Sequence, residues 1–240
     1  MVSTGYIGIT RQSGLLKELQ TVANNIANIS TAGFRREGVV FAEHLQPLDG
    51  AGGGISMATA RVRFTDEAGG TMTRTGGRFD LAIDGPGFFM VETPQGNRLT
   101  RAGSFSPNAA GDLVTATGYR VLDAGGAPVF IPPDAAEIGV AEDGSVSANG
   151  RPVARIGIYE VDDPQQLLRE DGVMFRFDAE PLPAIDSRVK QGFVEGSNVN
   201  AIIEMTRLIE VQRAYELGQK LLDREDEQIR SAIRTLGRTT

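Results

Sequence analysis

Ser13-Gly-Leu-Leu-Lys-Glu-Leu-Gln-Thr-Val-Ala-Asn-Asn-Ile-Ala-Asn-Ile-Ser-Thr-Ala-Gly-Phe34 is the stretch on which the reading of this chain turns. Within it Leu15, Leu19, Val22, Ile26 and Ile29 are spaced 4, 3, 4 and 3, which puts all of them on one stripe of an α-helix beginning near Ser13. Such an a/d seam calls for a partner helix. The helix ends by Ser30-Thr-Ala-Gly33, where Gly33 can take the left-handed conformation without a Cβ penalty. Asn24, Asn25 and Asn28 interrupt the pattern, and Asn is a mediocre helix former because its amide competes with the backbone. Two readings stay open: the helix frays toward its glycine, or the amides bond to neighbouring helices and fix their register.

The partner stripe lies at the other end of the chain. After Asn198 and Asn200, either of which can cap a helix, Leu208, Tyr215, Leu222, Ile229 and Leu236 recur every seven residues. A second seam position is expected at Met205, Gln212, Gln219, Asp226 and Ile233, so polar groups break the apolar stripe. Two narrow, imperfect seams at opposite ends predict mutual pairing, followed by packing into something larger; an intramolecular hairpin with nothing attached is the plainer reading.

Between the ends the periodicity changes. Asp80-Leu-Ala-Ile, Phe88-Phe-Met-Val-Glu, Asn97-Arg-Leu-Thr-Arg, Asp112-Leu-Val-Thr, Gly118-Tyr-Arg-Val-Leu, Arg155-Ile-Gly-Ile-Tyr-Glu-Val and Met174-Phe-Arg-Phe read as short strands, divided by Pro94-Gln-Gly, Pro107-Asn, Asp143-Gly144 and Asn149-Gly150 turns. One short helical turn is expected over 164–169. The Gly-rich borders of 47–75 suit an extended arm or long hairpin. The fold class is therefore α+β: a discontinuous helical domain from paired N- and C-terminal helices plus a central all-β domain. Its parts are an N-terminal assembly helix (1–35), an extended or β-hairpin arm (36–75), the all-β domain (76–195) and a C-terminal assembly helix (196–240).

Composition excludes more than it assigns. The 240 residues contain no Cys and no Trp, which removes disulfide scaffolds, Cys-based zinc sites and cysteine nucleophiles. A single histidine, His44, lies in a segment with no nucleophile-elbow pattern. Asp80 and Asp84 sit on the exposed face of one strand, where solvated carboxylates are routine. Asp162-Asp163 and Glu225-Asp226-Glu227 lack the spacing of a calcium loop, and Gly85-Pro-Gly87 lacks the Gly-Lys-Ser/Thr of a phosphate loop. No catalytic residue, metal site or cofactor is expected. A net charge of −7 argues against nucleic acid as a partner. The acidity lies in the middle, since residues 201–240 carry seven basic and seven acidic side chains. No apolar run reaches the ~18 residues of a membrane span, and neither an integral membrane segment nor a cleaved signal peptide is expected.

Ala23-Asn-Asn-Ile-Ala-Asn-Ile-Ser-Thr-Ala-Gly-Phe34, Ser197-Asn-Val-Asn200, Glu204-Met205 and Gln212-Arg-Ala-Tyr215-Glu216 together resemble the two terminal signatures of the flagellar basal-body rod family. Phe79-Asp-Leu-Ala-Ile-Asp-Gly-Pro-Gly-Phe-Phe89 and Thr100-Arg-Ala-Gly-Ser-Phe105 are similar to the β-domain signature shared by rod and hook proteins. The resemblance covers nearly the whole chain. It implies a non-enzymatic subunit of the axial shaft that spans the periplasm and transmits torque. It also implies export through the flagellum's own type III apparatus, and as partners other axial rod proteins and further copies of the chain. The modest length, Thr10-Arg-Gln-Ser13 and Val129-Phe-Ile-Pro-Pro133 look most like the proximal-rod branch, with the distal-rod branch as runner-up. Carried onto this chain, the subunit-interface set is Leu15, Leu19, Val22, Asn24, Asn25, Ile26, Asn28, Ile29, Gly33, Phe34, Ser197, Asn198, Asn200, Met205, Leu208, Gln212, Tyr215 and Leu222. The rivals from other classes are a β-domain peptidoglycan hydrolase, which would need a convergent acid/base constellation, and a carbohydrate-binding module, which would need an aromatic platform that four Tyr and no Trp do not provide.

Overall fold

The computed structural model describes residues 2–47, 54–163 and 167–236. Among these residues two helices flank eighteen strands: α1 (Val2–Ala27) and α2 (Ala201–Leu236) enclose β1 (Glu37–Pro47), β2 (Gly54–Thr65), β3 (Met72–Arg74), β4 (Leu81–Asp84), β5 (Phe88–Thr93) and β6 (Gly96–Thr100), then β7 (Phe105–Pro107), β8 (Leu113–Thr115), β9 (Arg120–Val121), β10 (Ile138–Val140), β11 (Ser145–Ala148) and β12 (Arg151–Arg155), and finally β13 (Ile158–Glu160), β14 (Leu168–Glu170), β15 (Met174–Arg176), β16 (Leu182–Pro183), β17 (Arg188–Gln191) and β18 (Phe193–Glu195). The chain forms two compact units, one of residues 1–27, 37–64 and 200–240, the other of residues 28–36 and 65–199. This is the α+β arrangement expected, with the terminal helices packed on each other and a central β region.

In the β unit the core is organised by β5. Phe88-Phe-Met-Val91 is apolar at every position because the strand is covered on both faces, as central strands of buried sheets are. Phe89 and Val91 point into a cluster with Leu81, Ile83, Phe105 and Val121, whereas Phe88 and Met90 join Leu99, Leu122, Leu167 and Phe175. The main sheet runs β14-β15-β6-β5-β9-β8-β7, with β13 pairing β5 and β16 off this path. The Phe89 and Phe105 rings meet edge-on at 5.3 Å, and Phe88 and Phe175 at 5.6 Å, the geometry that ring quadrupoles favour. Beside this sheet β10-β11-β12 form a meander, and β17–β4, β18–β3 and, in the helical unit, β1–β2 form two-stranded pairs. The Asn149-Gly150 reversal joins β11 to β12 with φ of 51° and 77°, the positive pair that a tight hairpin turn requires.

One sequence expectation changes, and two others fall partly or wholly outside the described residues. Helix α1 starts at Val2, well before Ser13. Its first turns, Val-Ser-Thr-Gly-Tyr-Ile-Gly8, are weak helix formers, but contact with α2 holds them: Gly8 lies against Leu222, and Gln12 donates to the Tyr215 carbonyl at 2.9 Å. Over the described part of 164–169 the chain is not helical, since Leu168–Glu170 pairs with β15 as β14; residues 164–166 lie outside the described residues. The Gly-rich 49–53 stretch also lies outside them.

Candidate assembly interface

In the helical unit, α1 turns a polar stripe toward its partners. Gly14, Glu18, Thr21, Val22 and Asn25 are the buried positions, and Leu15, Leu19 and Ile26 are half-buried beside them. The centre of the face is thus one residue earlier than apolar periodicity indicates. The reason is that Glu18 and Asn25 meet partners brought from far along the chain, while the Thr21 hydroxyl is satisfied locally, donating to Lys17 O at 3.0 Å. Glu18 Oε1 accepts from Arg207 Nε at 2.7 Å and lies 2.5 Å from Nη2. Asn25, fully buried, acts as a short piece of backbone toward β1: its Oδ1 accepts from Glu37 N at 3.0 Å and its Nδ2 donates to Glu37 O at 2.8 Å. The same Nδ2 donates to Glu204 Oε2 at 3.1 Å, and Glu204 is itself fully buried. Of the two readings of the asparagines, Asn25 follows the bonded one, with partners inside its own chain.

The expected seam of α2 is also displaced. Buried Glu204 and Val211, with half-buried Leu208, Tyr215, Gly218 and Leu222, form the face on α1, so the second seam position runs through 204, 211 and 218. Met205, 53% exposed, and exposed Gln212 lie off that face, where Gln212 Nε2 donates to Glu216 Oε1 at 3.2 Å along the helix. A step of four from Glu204 to Leu208 satisfies helical geometry as well as the step of three from Met205, and the buried bond to Asn25 selects Glu204. At the start of the helix Asn200 is the cap, its Oδ1 accepting from Ile202 N at 3.0 Å and Ile203 N at 3.3 Å.

Apart from Asn24, the remaining predicted residues fall in the β unit. Asn28 lies just past α1, in a turn where its carbonyl accepts from Thr31 N at 3.2 Å and its Oδ1 from the Thr31 hydroxyl at 3.1 Å; half-buried Ile29 follows it. Asn24 is exposed on α1. Gly33 adopts φ of 69° and its N–H donates to Glu195 O at 2.8 Å. Phe34, fully buried, lies 4.3 Å from the Arg169 guanidinium, which also stacks on Phe175 at 4.7 Å. Ser197 Oγ accepts from Val199 N at 3.2 Å. Asn198 ties two segments, accepting from Arg36 N at 2.6 Å and donating to Asp66 O at 3.1 Å and Ala68 O at 2.8 Å.

These contacts surround a buried ionic cluster that periodicity does not reveal. Glu195, 2% exposed, lies 2.9 Å from Arg35 Nη2 and 3.2 Å from Arg101 Nη1, and also accepts from Gly70 N at 2.9 Å. Arg101 reaches on to Gly85 O at 2.7 Å, and Arg35 donates to Ala68 O. Burial, with the like charge of Arg35 added, pulls Arg101 down to about 10 despite Glu195; burial also lowers Arg35. Asp80 and Asp84 have structural partners: Asp80 accepts from the Thr75 and Ser104 hydroxyls at 2.6 and 2.8 Å, and Asp84 lies 2.6 Å from Lys190 Nζ, which lowers its pKa. Among the described residues, no group of three or more His, Cys, Asp or Glu side chains could hold a metal ion, and no helix is long and apolar enough to cross a membrane.

Replacing Asn25 by alanine should destabilise the protein by about 1–3 kcal/mol, because Glu37 N–H and C=O are left buried. Thermal unfolding of the variant measures it; a loss within error of zero would mean that water satisfies both groups.

Comparison with known proteins covers most of the chain. Residues 6–35 match the family described as Flagella basal body rod protein, residues 82–148 match Flagellar hook protein FlgE/F/G D1 domain, and residues 190–235 match Flagellar basal body rod FlgEFG protein C-terminal. The chain is 41% identical over 246 residues to the flagellar basal-body rod protein FlgF of Caulobacter vibrioides (strain ATCC 19089 / CIP 103742 / CB 15), with 97% of each chain covered. It is 40% identical to FlgF of Rhizobium meliloti (strain 1021), again over 97% of each. Against the flagellar basal-body rod protein FlgG of Bacillus subtilis (strain 168) the identity is 31%, over 97% of this chain and 98% of that one.

Proposed function

We infer, from the premise that this chain belongs to the flagellar basal-body rod protein family, that it builds the proximal part of the rod by packing its terminal helices against those of neighbouring subunits. As a member of that family it is a structural, non-enzymatic subunit of the basal-body rod and assembles with other rod proteins. The proximal position is supported by the greater identity to FlgF than to FlgG relatives. Export through the flagellum's own type III apparatus and contacts with further copies of the chain belong to the same reading.

The observation that carries the helix-packing reading is the outer side of α2. Ile202, Met205 and Ile209, spaced 3 and 4, are 77%, 53% and 50% exposed, and Leu217 and Leu221 extend the apolar surface. A helix packed on one side and apolar on the other is built to be covered twice. Met205 belongs to this outer stripe, as an interface residue should. Glu18, Asn25 and Glu204 fix how α1 and α2 register within one subunit, and the outer stripe is then presented to the next.

Two measurements test this. In an in-frame deletion strain, motility should be lost and electron microscopy should show rods that are missing or stop early; normal rods, hooks and filaments would refute the reading. Ile209→Asp should leave monomer stability within ~0.5 kcal/mol, as exposed positions do, yet abolish swimming. A fully motile Ile209→Asp strain would remove the outer stripe from the interface.

A further inference from the structure

The β unit holds a cavity of about 520 Å³ to which the helix packing assigns no role. Met72, Phe88, Val161 and Leu167 give it an apolar patch, and the Arg35–Glu195–Arg101 cluster lines it beside them. The rim is acidic. Exposed Glu67, Glu160 and Asp162 stand around it, as does Asp84, which is paired with Lys190. Such a rim disfavours a free anion and favours a segment that brings an apolar side chain between cations.

The same chain exposes a segment of that chemistry. Strand β12, Arg151-Pro-Val-Ala-Arg155, is the edge of the β10-β11-β12 meander, and all but Ala154 of its residues are exposed. The ladder with β11 shifts between Val146 and Ser147, so Val153 has no cross-strand partner and is 40% exposed, flanked by two arginines. Bulges of this kind re-aim a side chain outward, and Pro152 keeps the edge from extending as a sheet.

We propose that the acidic-rimmed cavity receives strand β12 of a second copy of this chain, with Val153 against the apolar patch and Arg151 and Arg155 beside the rim carboxylates. The contact joins two different surfaces and so repeats head to tail; where its rotation does not close into a ring it continues along an axis, as a shaft requires. It rests on the rod-subunit reading and adds to the helix packing an outer contact of defined direction.

The absence of native cysteine makes disulfide trapping selective. In a strain lacking the native gene, Val153→Cys and Asp162→Cys chains are expressed separately and together, the cells oxidised, and their basal bodies isolated. A disulfide-linked dimer is expected only where both chains are present, and Glu160→Lys in the Asp162→Cys chain should lower its yield about tenfold. Charge reversal on the other side, Arg151→Glu in the Val153→Cys chain, should restore it. Arg155→Cys with Glu160→Cys, both at exposed positions, serves where the first pair impairs motility. If the chains are present in normal rods and no mixed dimer forms, or Asp162→Cys couples to a different flagellar protein, the proposal falls and the rod-subunit reading stands. If the chain is missing from the basal bodies, the rod-subunit reading falls and takes the proposal with it.

Discussion

Glu195→Ala is expected to destabilise the β unit by about 3–5 kcal/mol, the range for breaking a buried ion pair by removing one partner. The carboxylate is 2% exposed and is the shared partner of Arg35 and Arg101. Without it two guanidiniums stay buried beside each other, and the like-charge repulsion that already helps hold Arg101 near 10 goes uncompensated. Gly70 N–H also loses its acceptor. Against a total stability of roughly 5–15 kcal/mol, a loss of that size moves the urea midpoint far while leaving the slope unchanged. Glu195→Gln keeps the volume and an acceptor but not the charge, so it should lie between the wild type and Glu195→Ala. Replacing all three side chains with apolar ones, Arg35→Met, Arg101→Met and Glu195→Leu, should recover most of the loss, since the penalty comes from an unpaired charge and not from missing attraction. Equal stability for wild type and Glu195→Ala would mean that the cluster is hydrated and not dry.

Gly33→Ala is expected to cost about 2–4 kcal/mol for two separable reasons. The residue sits at φ of 69°, which penalises any L side chain by roughly 1 kcal/mol. In addition, a Cβ there would lie 2.3 Å from Ala102 N and from the Arg101 carbonyl carbon, backbone atoms that cannot swing aside as a flexible side chain would. Gly118→Ala is the control: it has φ of 87° with nothing within 4 Å of the added carbon, so it carries the conformational cost alone. The difference between the two variants in thermal or urea unfolding isolates the close approach. Equal losses would mean that the 101–102 backbone shifts at little cost. Because Gly33 N–H bonds to Glu195 O and the clash falls on Arg101, the Gly33→Ala and Glu195→Ala effects should combine non-additively.

Much of this architecture is legible without coordinates. Spacings of three and four place helices at both ends, Asn200 caps the second one, and Gly33 takes the left-handed turn at the end of the first. Apolar runs and Pro/Gly turns locate the central strands, Phe88-Phe-Met-Val91 among them, because these signals are local and depend only on backbone conformation and on the period at which side chains reach a buried face. Strands β17 and β18 escape this reading, since their place depends on pairing with β4 and β3 more than a hundred residues away.

What tertiary structure alone decided is the polar part of the design. Hydrophobic period puts the α1 seam on Leu15, Leu19, Val22, Ile26 and Ile29; of these Val22 is buried, but the rest of the buried line runs through Glu18, Thr21 and Asn25, and on α2 through Glu204 and not Met205. A charged or amide side chain is buried only where a partner satisfies it, and the partners of Glu18, Asn25 and Glu195 lie in segments far along the chain. No local pattern in a sequence encodes that meeting. The chain thus carries its helices, turns and apolar strands in short-range spacing, whereas the helix register and the ionic cluster of the β unit arise only when distant segments fold against one another.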